Sequence, residues 1–371
     1  KRQGGSPRRL KTMKYVDEFR NADLARGLAR AIAQAVAPGH RYNLMEFCGG
    51  HTHAIARHGL RALLPPEIEL IHGPGCPVCV LPIGRIDQAI ALARDHGVLL
   101  CTYADLMRVP ASNASSLMKA RSQGADVRMV YSAIDALKLA QQHPDREVVF
   151  LAIGFETTTP PTAVAILQAQ ALGLKNFSVF CNHVLTPAAI GHILESKEVR
   201  EYGTVPLDGF IGPAHVSTVI GSQPYEYFAE EYAKPVVIAG FEPLDILAGL
   251  VELVRLVRDK SPRVFNAYPR CVSRDGNPPP LRMTWQVFQT SAGTWRGIAD
   301  IPDGNLRLRP EFERFDARKK FSIDASIYAS EADHEAVKDC ICGSIMSGLA
   351  SPPDCKLFRN RCDPQHPVGA C

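Results

Sequence analysis

Short apolar runs alternate with amphipathic helical patterns from residue 41 to residue 260, and this alternation constrains the fold more than any other feature. Strands separated by helical stretches such as 82–97 and 243–260 predict βαβ units, mostly parallel sheets and hence an α/β fold. The eight predicted strands are YNLMEF (42–47), IELIH (68–72), GVLLCTY (97–103), VRMVYS (127–132), EVVFLAIG (147–154), FSVFCN (177–182), GFIG (209–212) and PVVIAGF (235–241).

These strands could form one sheet, a barrel or two four-stranded sheets. Two sheets are favoured, because the short connection at 207–215 does not fit the regular helix ring of a barrel. The predicted α/β domains are residues 41–150 and 151–260. Sequence rich in Pro, Arg and Asn begins at 261, so 261–371 is assigned, with 13–40, to a smaller helical and irregular domain. Helix 17–36 is expected to pack against a later part of the chain, and residues 1–12 read as an extension.

Composition argues against several classes of protein. No apolar run reaches the ~18–20 residues that span a bilayer and no signal peptide opens the chain, so a cytoplasmic, membrane-free protein is predicted. Six of the 42 Lys and Arg residues lie in residues 1–14, which leaves 36 basic against 38 acidic residues and no expected nucleic-acid partner. The motifs of P-loop, dinucleotide-binding, HExxH and GxSxG proteins are absent from the sequence.

The loop CGGHTH (48–53) follows the first predicted strand, at the sheet edge where ligands bind in parallel α/β folds. Its two glycines allow close backbone approach, and the start of the next helix is expected to favour the thiolate form of Cys48. A thiolate beside His51 and His53 predicts an open metal site, since one loop supplies at most three ligands. The alternative is a buried cysteine with incidental histidines.

The loop GPGCPVC (73–79) places Cys76 and Cys79 in a C-x-x-C motif ahead of a helical pattern that begins near Pro82. This position lowers the pKa of the first thiol and predicts a pair that forms a disulfide reversibly. Half of a zinc site, completed by Cys48 and a histidine, is the alternative.

The C-terminal segment carries Cys340-x-Cys342, then twelve residues, Cys355, then six residues, and Cys362. Because residues 340–371 contain few apolar side chains, a metal centre is predicted to organise them. Four thiolates suit either a zinc ion or an iron–sulfur cluster, and their spacing does not decide between the two. Cys371 is predicted to be spare. The isolated cysteines 101, 181 and 271 are predicted to be small core residues.

Further polar residues follow the later strands. Glu156 in GFETTTP and Glu242 in GFEP each follow a Gly-Phe pair, and they could be acid/base groups or anchors for loop backbone. His183 in CNHV and His215 in GPAHVS could belong to a site or be structural histidines.

Taken together, these motifs resemble the HypD family of hydrogenase maturation factors from about Met13 to Cys371. The resemblance rests on FCGGHTH, HGPGCPVC, GFETT, NHV, GPAHVS, PVVIAGFEPLDIL, WRGIADIP, FDARKKF and CICGSIMSGLASPPDCKLF. It implies two parallel-sheet α/β domains around a cleft and a smaller C-terminal iron–sulfur domain.

The resemblance also implies roles for individual residues. A [4Fe–4S] cluster would be held by Cys340, Cys342, Cys355 and Cys362. Cys76 and Cys79 would be a redox-active pair between cleft and cluster, and Cys48 would bind iron with His51 beside it. Arg359 stands where this family pattern leads us to expect glycine, so the resemblance does not carry over the local turn.

The function implied is that of a scaffold on which the Fe(CN)₂CO unit of [NiFe] hydrogenases is built. The iron, carrying CN and CO ligands, would be shared with a HypC-type chaperone, and a HypE-type protein would donate cyanide to a monomer acting in heteromeric complexes. An iron–sulfur-dependent thiol–disulfide oxidoreductase is the alternative, although it leaves CGGHTH without a role. A third reading is a zinc-stabilised interaction scaffold without redox function.

Overall fold

The computed structural model describes residues 17–195, 206–323, 339–363 and 365–371, so the predicted extension at 1–12 lies outside the described residues. The strands are β1 (Tyr42–Glu46), β2 (Ile68–His72), β3 (Leu99–Thr102), β4 (Val127–Met129), β5 (Val148–Gly154), β6 (Phe177–His183), β7 (Gly209–Pro213), β8 (Val236–Ala239), β9 (Val264–Asn266), β10 (Phe288–Trp295) and β11 (Ala299–Leu308). The α-helices are α1 (Ala22–Ala35), α2 (Gly49–Arg57), α3 (Ile83–Arg94), α4 (Leu117–Ser122), α5 (Ala133–Gln142), α6 (Thr159–Ala171), α7 (Thr186–Glu195), α8 (Ala214–Ile220), α9 (Glu226–Tyr232), α10 (Pro243–Arg258), α11 (Pro278–Val287), α12 (Ala317–Lys320) and α13 (Cys342–Met346). Short 3₁₀ helices lie at Asp17–Arg20, Leu60–Leu63, Ala104–Arg108, Ser112–Ala114, Gln223–Tyr225, Pro310–Phe315 and Pro352–Asp354.

Two parallel sheets form the α/β fold, as the sequence predicted. One sheet has five strands in the order β2-β1-β7-β8-β9, and the other has four in the order β4-β3-β5-β6. Every position of β5 and of β6 is buried, which explains why β5 is a continuous apolar run rather than an alternating one. All eight predicted strands are present.

The pairing of the strands differs from the predicted grouping into residues 41–150 and 151–260. β1 and β2 belong to one sheet with β7, β8 and β9. The chain between β2 and β7 forms the whole four-stranded sheet. β1 pairs with β7 in a register that sets Leu44 opposite Gly209, and the N–H of Asn43 donates to the Asp208 carboxylate at 2.7 Å. Hydrophobic periodicity identifies a strand but not its neighbour, so a sheet assembled from distant segments is not visible in the sequence.

The first helix packs on the five-stranded sheet. α1 contacts α10, and its Ile32 shares an apolar cluster with Leu44 and Leu250. This contact confirms that the helix packs against a later part of the chain. The turn before α1 also contacts a residue after 261, because the guanidinium of Arg270 lies 4.4 Å from the ring centroid of Phe19. None of the described helices is long and apolar enough to cross a membrane.

An antiparallel hairpin of β10 and β11 replaces the irregular structure expected after residue 281. Its Phe288 and Leu306 pack in the core of the four-stranded sheet, whereas Trp295 packs in a second cluster with Met45 and Phe47 of the other sheet. The hairpin therefore contacts both sheets and fixes them relative to each other.

Candidate metal and redox site

Cys48 follows β1 and caps the N-terminus of α2. Its side chain is 3 % exposed, and its Sγ accepts a hydrogen bond from the N–H of Gly50 at 3.3 Å. The next loop lies directly against it, because Gly49 donates its N–H to the carbonyl of Gly75 at 3.1 Å. A side chain at Gly75 would put its Cβ 2.4 Å from the backbone nitrogen of Cys48. Only glycine allows the CGGHTH and GPGCPVC loops to approach this closely.

The thiol of Cys48 is protonated at neutral pH, contrary to the expectation of a thiolate. Burial raises its pKa to about 12, and hydrogen bonds from the N–H groups of Gly50 and His51 offset only part of that rise. Desolvation therefore outweighs the favourable position at the start of a helix. A metal that binds here must displace the thiol proton.

Of the four histidines named in the sequence analysis, His51 and His215 lie near Cys48. His215 Nδ1 is 3.4 Å from Cys48 Sγ, and burial lowers the pKa of His215 to about 4, so its ring is neutral at pH 7. His51 is fully buried and donates from Nε2 to the carbonyls of Ala239 and Gly240 at 3.0 and 3.1 Å. Its buried Nδ1 has no hydrogen-bond partner among the described residues. His53 is exposed.

Phe241 is a residue of this site that the sequence analysis did not single out. Its ring lies 4.7 Å from the ring of His51 and 5.5 Å from that of His215, measured between centroids. It also touches the position where Gly50 lacks a side chain. Phe241 thus fixes both imidazoles next to Cys48.

Glu46 is a second residue that sequence reasoning missed. It is fully buried, and its carboxylate accepts the N–H of Cys48 at 2.9 Å, the hydroxyl of Thr52 and the ring of His72 at 2.5 Å. Arg61 can only donate to the other ring nitrogen of His72, so His72 Nδ1 carries the proton given to Glu46. A single acid within the apolar strand YNLMEF was the available signal.

Cys76 and Cys79 are joined by a disulfide with their Cα atoms 5.3 Å apart. The loop that contains them continues toward the hairpin, where the N–H of Arg296 donates to the carbonyl of Val80 at 2.7 Å. The Arg296 side chain then donates to the carbonyl of Val368 at 3.1 Å. The disulfide loop is thereby connected to the C-terminal segment.

Two of the C-terminal cysteines accept hydrogen bonds from the backbone of residues 368–371. Cys342 Sγ accepts the N–H of Ala370 at 3.1 Å and that of Cys371 at 3.0 Å, and Cys362 Sγ accepts the N–H of Val368 at 3.3 Å. Cys371, predicted to be spare, therefore contacts one of the predicted ligands. A hydrogen bond with Cys342 and another with Cys355 lower the pKa of Cys340, to about 6.

The donor chemistry of this segment fits an iron–sulfur cluster. Gly297 and Gly369 leave room beside the sulfur of Cys342, where added Cβ atoms would lie 3.2 and 2.9 Å away. Backbone N–H groups directed at cysteine sulfurs are one of the means by which proteins tune such clusters. Across the described parts of the chain, no three His, Cys, Asp or Glu side chains converge closely enough to hold a single metal ion.

Comparison with known proteins extends over almost the whole chain. The HypD family model, described as "Hydrogenase formation hypA family", matches residues 23–371. The chain belongs to the HypD family. The hydrogenase maturation factor HypD of Cupriavidus necator is 56% identical over 360 residues, which cover 97% of this chain and 93% of that protein. The Azotobacter vinelandii HypD is 57% identical over the same shares, and the Escherichia coli K12 HypD is 41% identical over 96% of this chain and 94% of its own length. A role in hydrogenase maturation follows from this membership.

Arg359 stands where the sequence analysis led us to expect glycine. Its φ is +57°, in the left-handed region that favours glycine, and its guanidinium lies 5.2 Å from the ring centroid of Phe358. The turn expected for a glycine is therefore kept, with an arginine in it.

The remaining site candidates of this HypD chain act as anchors in their loops. Glu156 accepts the N–H of Thr186 at 2.7 Å and its hydroxyl at 3.0 Å, and burial raises the pKa of Glu156 to about 7. Glu242 is bound by both nitrogens of the Arg20 fork, at 2.6 and 2.8 Å. These contacts favour the anchor alternative over acid/base chemistry.

His183 is held by hydrogen bonds to the neighbouring strand β5 and to helix α6. Its Nδ1 donates to the carbonyl of Gly154 at 3.3 Å, and its Nε2 accepts the hydroxyl of Thr162 at 3.0 Å. Of the isolated cysteines, Cys101 and Cys181 are buried as predicted, whereas Cys271 is exposed and that prediction is wrong.

Proposed function

We propose that this protein is the scaffold on which the Fe(CN)₂CO unit of [NiFe] hydrogenase is assembled. Iron is held at Cys48 jointly with a HypC-type chaperone, a HypE-type protein supplies cyanide, and a [4Fe–4S] cluster is bound by Cys340, Cys342, Cys355 and Cys362. The observation that carries the proposal is the unbroken run of contacts from Cys48 through the disulfide loop and Arg296 to Cys342.

The surroundings of Cys48 support its role as the attachment point for iron. The thiol is held by a backbone N–H and faces the neutral imidazole of His215, so the donors are present without a fixed positive charge that would repel Fe²⁺. Sulfur and imidazole are suitable ligands for iron. Two donors leave coordination positions open for CN, CO and a ligand from the chaperone.

In this proposal the Cys76–Cys79 pair is a two-electron store, reduced by the cluster and reoxidised when its electrons pass to the iron held at Cys48. Reduction of Cys76–Cys79 breaks the S–S bond, takes up two electrons and two protons and gives two thiols; reoxidation returns them. A bound cluster would supply electrons singly, and a one-electron donor outside the chain must replace them. The contact of Gly75 with the backbone of Cys48 supports a dithiol close to the proposed iron position.

Replacing Cys48 tests the proposal directly. Cys48→Ala should lose iron retention and the infrared bands of bound CN and CO in the complex with the HypC-type chaperone, while the visible absorption of the cluster persists. Cys101→Ala is the matched control, because Cys101 is equally buried but lies in the other sheet. Retention of the bands by Cys48→Ala, or loss of both signals, would contradict the proposal.

The cluster itself is tested by metal analysis of anaerobically purified protein. We expect about four irons and four acid-labile sulfides per chain with a reducible visible chromophore. One zinc without sulfide would remove the electron source and leave an interaction scaffold. Turnover of a disulfide substrate by Cys48→Ala at the wild-type rate, without any CN or CO bands in the wild type, would favour the oxidoreductase.

A further inference from the structure

Two arginines outside the site described above lie against the same face of the four-stranded sheet. Arg85 is in the first turn of α3, and Arg318 is in α12. Their neighbours Ile86 and Ala317 belong to one apolar cluster that also contains Phe180 of β6. The guanidinium of Arg318 lies 5.1 Å from the ring centroid of Phe180.

Arg318 uses only part of its hydrogen-bonding capacity. One terminal nitrogen donates to the carbonyl of Cys181 at 2.6 Å and to the side-chain oxygen of Asn182 at 3.0 Å. Its Nε is buried and has no partner among the described residues. The negative charge of Asp316 favours the protonated form of Arg318. The Asp316 carboxylate, however, accepts the backbone N–H of Arg318, and it forms no ion pair with the guanidinium among the described residues.

Arg85 is half-buried and likewise has no ion-pair partner in the described part of the chain. One terminal nitrogen donates to the side-chain oxygen of Gln88 at 3.0 Å. Burial, and after it the charge of Arg318, lower the pKa of Arg85 to about 10. Cations held away from water cost free energy unless an anion compensates them.

A third polar group lies at the same end of this face. Thr102 is fully buried, and its hydroxyl has no partner among the described residues. Leu100, two residues earlier in β3, belongs to the cluster that contains Ile86 and Ala317, so the alternation of side chains puts Thr102 on that face. Thr102 ends its strand, at the carboxyl edge where parallel sheets bind ligands.

We propose that Arg85 and Arg318 bind a small oxyanion, a carboxylate or a phosphate, at the carboxyl edge of the four-stranded sheet. Guanidinium groups bind both kinds of anion through paired N–H donors, and the free Nε of Arg318 supplies one. The hydroxyl of Thr102 is the candidate third donor. The site includes none of the cysteines assigned to iron, to the disulfide or to the cluster, so it does not depend on the proposed scaffold function.

The test uses the full chain with inorganic phosphate and acetate as probes, at an ionic strength held constant with chloride. Titration calorimetry and melting temperature should show binding to the wild type and at least a ten-fold weaker affinity for Arg85→Gln. Arg128→Gln is the matched control, because Arg128 lies on β4 of the same sheet but is paired with Asp126 at 3.0 Å. It should bind as the wild type does.

Melting in chloride alone separates binding from folding. Removal of an uncompensated cation should leave Arg85→Gln at least as stable as the wild type, and a lower melting temperature would instead assign Arg85 a structural role and overturn the proposal. Absence of binding to the wild type, or equal affinity in Arg85→Gln, would also overturn it. The anion that binds more tightly identifies the site as one for phosphates or for carboxylates.

Discussion

At the scale of single residues, burial decides the chemistry of the site. Cys48 stands where a helix start would favour a thiolate, yet desolvation keeps it a thiol. Glu46 is equally buried and accepts three hydrogen bonds, one of them from the backbone of Cys48. Because Glu46 makes all three of these hydrogen bonds, it holds the loop that carries Cys48 in place.

Arg359 provides a prediction about stability. Arg359→Gly should raise the free energy of unfolding by about 0.5–1 kcal/mol, because glycine relieves the left-handed strain and only a weak contact with Phe358 is lost. Denaturant unfolding measures the change. The neighbouring Arg361→Gly, which has no positive φ to relieve, should be neutral or destabilising, and an equal gain there would contradict the explanation.

His183 provides a prediction about pH. Burial lowers its folded pKa from 6.5 to about 4, so between these values the unfolded chain binds a proton that the folded chain does not. The contribution of His183 to the free energy of unfolding is complete above pH 6.5. It falls by on the order of 3 kcal/mol as the pH drops to 4. His183→Gln should flatten this part of the stability profile measured by chemical denaturation. The exposed His53→Gln should not, and equal flattening by both would refute the assignment.

At the scale of secondary-structure elements, the loops after β1 and β2 form one unit. Both strands are parallel and adjacent, so their carboxyl ends deliver CGGHTH and GPGCPVC to the same edge. The sequence predicted this proximity correctly, since the rule for parallel sheets depends only on strand direction. It did not predict the absence of space between the loops, which follows from the direct packing of Gly75 against the backbone of Cys48.

Gly75→Ala tests that contact. Its Cβ would lie 2.4 and 2.5 Å from backbone atoms of Cys48, which cannot move without shifting the loop, so a destabilisation of about 1–3 kcal/mol is expected. Gly191→Ala is the control, because its nearest neighbour is 3.8 Å away and alanine favours a helix. Thermal unfolding of both variants is the measurement. A Gly75→Ala protein as stable as Gly191→Ala would show that the loops are not in contact.

The strands missed by sequence analysis lack, over most of their length, the buried, alternating pattern by which strands are recognised. β9 has only three residues, each half-buried, and the β10–β11 hairpin contains Gly293, Pro302 and Gly304, which are typical of loops. Hairpin strands with such residues form because tertiary contacts, including those of Trp295, override local preference.

At the scale of the whole molecule, the hairpin ties the C-terminal cysteine segment to both sheets. Arg296 makes this link, since its backbone binds Val80 and its side chain binds the carbonyl of Val368. Arg296, which comes from a segment without cysteines, thus joins the disulfide loop to the C-terminal segment.

Arg296→Ala should loosen that segment. Loss of charge-assisted hydrogen bonds, worth about 1.5–3 kcal/mol, is expected to speed hydrogen exchange of the amides of Val368, Ala370 and Cys371 by ten-fold or more. Mass spectrometry of deuterium uptake, with the protein in one metal state, is the measurement. Arg307→Ala, at an exposed position of β11, should leave these amides unchanged. Equal protection in both variants would argue against the link.

The sequence by itself determined the α/β class, eight strands, the cysteine-bearing loops and the family. Each of these depends on local periodicity or on motifs whose residues are close in the chain. The tertiary structure decided that β1 and β2 join β7, that His215 and Phe241 reach Cys48, and that Cys48 is a buried thiol. These features depend on contacts between residues far apart in the chain and on the water that those contacts exclude, and neither is encoded in local pattern.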